Sequence, residues 1–162
     1  MEFSRRSLLA GAAIGGGLAI GWALWPRAYP PNLVAADGER IFNAWLKIGT
    51  DGHVTVGVPQ VEMGQGSYTV IPQIIADELG ADWRTIAVEP APLSPAYANT
   101  VFADEWHEGW WPKEKVQATG GSSTVRGYEF VARQAGAAAR ALLCQAAAKR
   151  WDADWQACDT EG

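Results

Sequence analysis

Soft metal-binding side chains are scarce in this chain of 162 residues: it has two cysteines and two histidines. A structural zinc ion takes four protein ligands, and an iron–sulfur cluster usually takes four thiolates. Cys144 and Cys158 supply neither alone, and their spacing matches no metal signature. They read as an inert buried Cys144 and a loop Cys158, with a disulfide between them left open for an oxidising compartment. Basic residues are also few. Thirteen Lys and Arg stand against 18 Asp and Glu, for a net charge of −5, and no basic cluster lies beyond the first residues. That excludes nucleic acid as a partner class. Internal repeats are absent, which excludes a solenoid. Disorder along the whole length is excluded too, because 48% of the residues are hydrophobic and only 19% are charged.

What is present begins with an export signal. Arg5-Arg6 precedes a run from Ser7 to Pro26 that carries no charge. Ser4-Arg5-Arg6-Ser7-Leu8-Leu9 resembles a twin-arginine signal, the address of proteins exported already folded to the periplasm or its face of the inner membrane. Glycines dilute the apolar run, as such signals require. At about 20 residues the run is also just long enough to cross a bilayer, so residues 1–26 read as a signal or as a retained anchor. No A-x-A cleavage site precedes the Pro-rich stretch, and residues 27–40 read as a linker.

The remainder, residues 41–162, has an α+β pattern. Phe42–Ile48 and His53–Val58 alternate, and the Gly49-Thr50-Asp51-Gly52 turn between them predicts a β-hairpin. His53 reads as a strand-edge residue. Apolar residues at helical spacing predict a helix over Ser67–Leu79, with Ser67 able to cap its start and Gly80 its end. Trp83–Glu89 reads as a strand. Residues 90–117 read as irregular and hold an acidic, aromatic patch, Asp104 to Trp111. His107 with Asp104 and Glu108 is too weak a set to predict a metal site. A long alanine-rich helix is expected from Thr124 to Arg150, with Val131, Ala135, Ala138, Leu142 and Ala146 on its packed face.

Two glycine loops carry the chemistry. Gly64-Gln65-Gly66 precedes the first helix, and Gly120-Gly121-Ser122-Ser123-Thr124 precedes the second. Unpaired N–H groups and the helix dipole make such ends attractive to anions. Gln65 adds an uncharged amide that both donates and accepts. The same residues also suit two plainly capped helices. Neither loop has a P-loop or dinucleotide fingerprint.

Val61-Glu62-Met63-Gly64-Gln65-Gly66, followed by Thr69, resembles the cofactor loop of the xanthine dehydrogenase and aldehyde oxidase family of molybdenum hydroxylases. Thr119-Gly120-Gly121-Ser122-Ser123-Thr124-Val125-Arg126, with Arg133 to Arg140 after it, is similar to that family's second cofactor segment. The order of parts resembles the exported, membrane-associated branch, which includes isoquinoline 1-oxidoreductase beta subunits and similar aldehyde dehydrogenases. The resemblance implies part of a larger molybdopterin-binding fold in an oxidoreductase that acts on an aldehyde or an N-heterocycle. It implies molybdopterin as cofactor, with the cytosine dinucleotide form among its variants. It places iron–sulfur clusters on a separate small subunit, with a membrane cytochrome as an electron acceptor. Gly64, Gln65 and Gly66 would form the first contact, Gln65 directing its amide at an oxo ligand of molybdenum. Gly121, Ser122, Ser123 and Thr124 would hold the pterin. The family's general base, a glutamate far toward the C-terminus, has no match here, and Glu62 is not that residue. The chain is therefore expected to be inactive alone and to be the N-terminal piece of a longer subunit. Two other readings remain: an exported, non-catalytic module that binds through the Trp-rich patch, and a structural domain held at the membrane by Leu8–Trp25.

Overall fold

Four short strands and three helices follow one another in this order: β1 (Glu39–Ile41), β2 (Leu46–Gly49), β3 (Val54–Val58), α1 (Ser67–Leu79), β4 (Ile86–Pro90), α2 (Thr100–Trp106) and α3 (Ser123–Trp151). The computed structural model describes residues 33–106 and 112–161. The signal segment, residues 27–32 and His107, Glu108, Trp110 and Trp111 of the aromatic patch lie outside the described residues. The α+β class expected from the sequence is the class found.

The hairpin forms where the glycine turn requires it. Gly52 sits at φ 85, and Gly49 N–H donates to the His53 carbonyl at 2.8 Å. The Asp51 carboxylate accepts from His53 N–H, a backbone bond that holds its pKa below the usual range. The first hairpin strand is shorter than its alternation suggests. Asn43 Oδ1 accepts from Trp45 N–H and Leu46 N–H at 2.8 and 3.2 Å, which turns the chain before β2 begins. β1, which begins inside the stretch read as a linker, pairs antiparallel with β2. Leu33, also in that stretch, is buried against Gly57, where a Cβ would lie 2.6 Å from its Cδ2. The buried Lys47 ammonium ties the edge together, bonding the Val34 carbonyl and both the Glu39 and Glu89 carboxylates.

The sheet order is β1-β2-β3-β4, with β3 and β4 parallel and α1 as the crossover between them. Gly80 ends α1 in the left-handed conformation, as predicted. The strand expected at Trp83 starts at Ile86 instead. Asp82 accepts from Arg84 N–H and closes a 3-10 turn over Trp83–Thr85 first. Leu46, Val54, Val56, Val58, Ile71, Ile75 and Leu79 form the core, with Tyr97 and Tyr128 packed edge-on against Trp45. Burial pushes the hydroxyls of Tyr97 and Tyr128 up to about 12.

α3 runs almost as expected, but its packed face is rotated by about one residue. Tyr128, Ala132, Ala135, Gly136 and Ala139 are buried, whereas Ala138, Leu142 and Ala146 are exposed. A helix rich in alanine all round has a weak apolar stripe. Gly136 sets the orientation by letting the backbone of α1 come close. The tail returns over both helices. The Thr160 hydroxyl donates to the Leu79 carbonyl, and Arg140 pairs with Asp159.

Candidate functional site

Both glycine loops occur where the sequence places them, at the N-termini of α1 and α3. The α1 end is not capped by Ser67. Gly66 occupies the cap position at φ 79, and Ser67 is the buried first helical residue. The capping group is the Glu62 carboxylate. It accepts from Gly64 N–H at 2.7 Å, Gly66 N–H at 3.1 Å, Tyr68 N–H at 3.0 Å and the Ser67 hydroxyl at 3.2 Å. The backbone bonds from Tyr68 and Gly66 are the main reason its pKa falls to about 2. Ser67 does not play that part, because it lies inside the first turn and its own hydroxyl donates to Glu62.

Gln65 folds back on its own loop. Its Nε2 donates to the Val61 carbonyl at 2.6 Å and to the Ser67 hydroxyl at 3.3 Å, and its Oε1 accepts from Met63 N–H at 2.6 Å. Gly64 and Gly66 face open space: a Cβ on either meets nothing within 4 Å.

At the second loop, Gly121 (φ 60) and Ser122 (φ 50) are both left-handed, an uncommon state for serine. Ser122 makes no side-chain cap to α3 and is exposed. Gly121 is favoured by its left-handed φ, and a Cβ there would also lie 2.7 Å from Nε1 of Trp106, whose ring would have to shift. Ser123 is buried. Its hydroxyl donates to the Gly120 carbonyl and accepts from Asn99 Nδ2, both at 2.6 Å. Trp106 stacks on Phe102 beside this loop and is 66% exposed.

The loops are joined to each other. Gln60, just after β3, is 2% exposed; its Nε2 donates to the Ala118 carbonyl at 2.9 Å and its Oε1 accepts from the Thr124 hydroxyl at 3.2 Å. Val61 N–H donates to the Thr119 hydroxyl at 2.9 Å. Asn99 caps α2 through Phe102 N–H and reaches the Ala118 carbonyl at 2.8 Å. Among the described residues, five polar or charged residues are buried; Lys47 ties the sheet edge, and the other four, Gln60, Ser67, Asn99 and Ser123, bond in or beside these loops. Gln60 and Asn99 carry no periodicity signal, which is why the sequence pattern passes over them. Asn99 alone is legible as a cap, once Thr100–Trp106 is known to be a helix.

The Glu62 bonds carry a pH prediction. The depressed pKa means that its stabilisation is fully present above the unfolded-state value of 4.5 and is lost as pH falls through about 2. The urea midpoint of the wild-type chain should fall more steeply over that window than that of Glu62→Gln. Glu39, Asp51, Asp82, Glu105 and Asp159 are also depressed and are common to both proteins, so only the difference reports Glu62. Parallel curves would refute the assignment.

Two glycine loops, one at each of two helix N-termini, are thus tied together through Gln60 and Val61. Residues 4–100 match the family model described as molybdopterin cofactor-binding domain, and the chain belongs to that family. Over 120 residues it is 38% identical to the isoquinoline 1-oxidoreductase subunit beta of Brevundimonas diminuta, covering 74% of this chain and 14% of that protein. Over 152 residues it is 33% identical to the membrane-bound aldehyde dehydrogenase [pyrroloquinoline-quinone] of Gluconacetobacter polyoxogenes, covering 91% of this chain and 17% of that protein. These matches agree with the resemblance to the xanthine dehydrogenase and aldehyde oxidase family. The chain thus spans under a fifth of the relatives it matches. No helix of the described residues is long and apolar enough to cross a membrane.

Proposed function

We propose that this chain is the molybdopterin-holding part of an exported oxidoreductase that oxidises an aldehyde or an N-heterocycle with oxygen drawn from water. The observation that carries the reading is the Gln60 bridge, which sets the two glycine loops side by side. The residues present suit the group. Gly64 and Gly66 leave open space where a Cβ would stand, and Ser122 is exposed beside a helix end that no side chain caps. Gly64, Gln65 and Gly66 would shape one contact. Gly121, Ser122, Ser123 and Thr124 would supply the other, mainly through the backbone, because the hydroxyls of Ser123 and Thr124 already bond Gly120 and Gln60. When bound, the cofactor supplies the two-electron oxidation, while the protein orients it. The cytosine dinucleotide form, a small iron–sulfur subunit, a membrane cytochrome as acceptor and the twin-arginine route belong to the same proposal.

Expression of the full chain in cells that make the molybdenum cofactor tests it. The purified chain should carry pterin, measured after oxidation to its fluorescent form, together with molybdenum. A chain free of both would overturn the proposal. Pyrroloquinoline quinone in their place would favour the cofactor in the second relative's name.

A further inference from the structure

We infer that Glu62 is a positioning residue that stays bonded to the Gln65 loop when the cofactor binds, so that the Gln65 side chain alone has to turn. The inference rests on the proposed cofactor role of this loop. The two side chains divide the loop between them. Glu62 takes backbone donors Gly64, Gly66 and Tyr68, which set the path of the chain into α1. Gln65 takes the Val61 carbonyl, Met63 N–H and the Ser67 hydroxyl. Ser67 is the one group that both touch, and it also bonds Glu62, so it keeps a partner after Gln65 leaves.

Both Nε2–H donors of the stowed Gln65 amide are engaged within the loop. Its Nε2 has two partners and its Oε1 has one, all inside residues 61–67. To donate to a ligand group it must give up the Nε2 bonds. Val61 and Met63 are 63% and 68% exposed, so water replaces their lost bonds at little cost. The Glu62 bonds are different. Releasing them would strip three converging N–H groups of a charged acceptor at the positive end of a helix. An anionic group of the cofactor arriving at α1 would meet a carboxylate already in place. Glu62 therefore excludes anions from that end and leaves the neutral Gln65 amide as the feature presented there.

The test uses the full 162-residue chain, labelled with ¹⁵N and purified from cells that make the molybdenum cofactor and from cells blocked in its synthesis. In the cofactor-free chain, Glu62→Gln should raise amide exchange at Gly66 and Tyr68 by about tenfold or more, because a charged acceptor is replaced by a neutral one. Glu62→Asp should recover part of that protection. On cofactor loading of the wild-type chain, the Gln65 side-chain amide resonances should shift while Gly64, Gly66 and Tyr68 keep their protection. Loss of protection at Gly66 and Tyr68 on loading would overturn the inference, since Glu62 would then be a placeholder displaced by the cofactor. Unchanged exchange in Glu62→Gln would overturn it as well. A wild-type chain that takes up no pterin would overturn the proposed function and this inference with it, while the exchange comparison in the cofactor-free chain would still test Glu62 as the cap of the loop.

Discussion

Gly136→Val should lower the stability of this chain by about 3 kcal/mol, the upper range for forcing volume into a packed contact. At Gly136, α3 lies directly on α1. A Cβ there would stand 2.6 Å from the Ile75 carbonyl oxygen, 2.9 Å from Glu78 Cβ and 3.3 Å from Ile75 Cα. Two of those atoms are backbone, so no side-chain rotation relieves the clash and the helices must separate. Separation would expose Ile71 and Ile75, both fully buried, and stretch the bond from Asn43 Nδ2 to the Ala135 carbonyl. Alanine improves helix propensity over glycine by about 1 kcal/mol, so Gly136→Ala should lose less than valine does. Ala137→Val, one position along on an exposed part of α3, carries only the propensity cost of a β-branched residue, about 0.5 kcal/mol. Urea unfolding of the three variants separates the effects. Equal losses at positions 136 and 137 would show that α1 and α3 do not meet there.

Asn99→Ala should lower stability by about 3 kcal/mol and loosen the second glycine loop. Asn99 is fully buried and uses both ends of its amide. Its Oδ1 caps α2 at Phe102 N–H, and its Nδ2 donates to the Ala118 carbonyl and the Ser123 hydroxyl. Alanine leaves Phe102 N–H without its acceptor and opens a void. Gln60 still serves the Ala118 carbonyl, so the loop should loosen without the β3 end detaching. Asn99→Asp is the informative companion. Its first oxygen still caps α2, but the second faces the Ala118 carbonyl, acceptor against acceptor. The charge is also buried with no cation among the groups bonded there. Burial raises that carboxyl's pKa, so the unfolded chain releases the proton first as pH rises and stability falls. On acidification the protonated carboxyl again offers a donor and stability returns. Hydrogen exchange over Gly120–Thr124, read beside the unfolding midpoint, checks both variants. A midpoint for Asn99→Asp that does not rise on acidification would show that the carboxyl is not held in the buried site.

The local elements were legible in the residues because their causes are local. Gly52 makes the hairpin turn, Gly80 ends α1, and Gly121 and Ser122 open α3. Each of these rests on a backbone conformation that one or two residues dictate. The motifs Val61–Gly66 and Thr119–Arg126 likewise carried the family resemblance, and the family match over residues 4–100 bears out the family. Side-chain bonds to the backbone and the packing of Leu33 left no periodic pattern to read. Asn43 shortens the strand before β2, Leu33 fills the space over Gly57, and Glu62 displaces Ser67 as the cap of α1.

What the sequence by itself determined was the set of elements, the position of both glycine loops and the family. Only the tertiary structure decided which face of α3 is buried, that Gln65 is stowed, that Gln60 ties the end of β3 to the second glycine loop, and that Asn99 ties that loop to α2. Periodicity reports whether a residue faces a core, and turn residues report a local backbone angle. A buried amide that bridges segments 58 residues apart has neither signature, so its role exists only once the chain has folded.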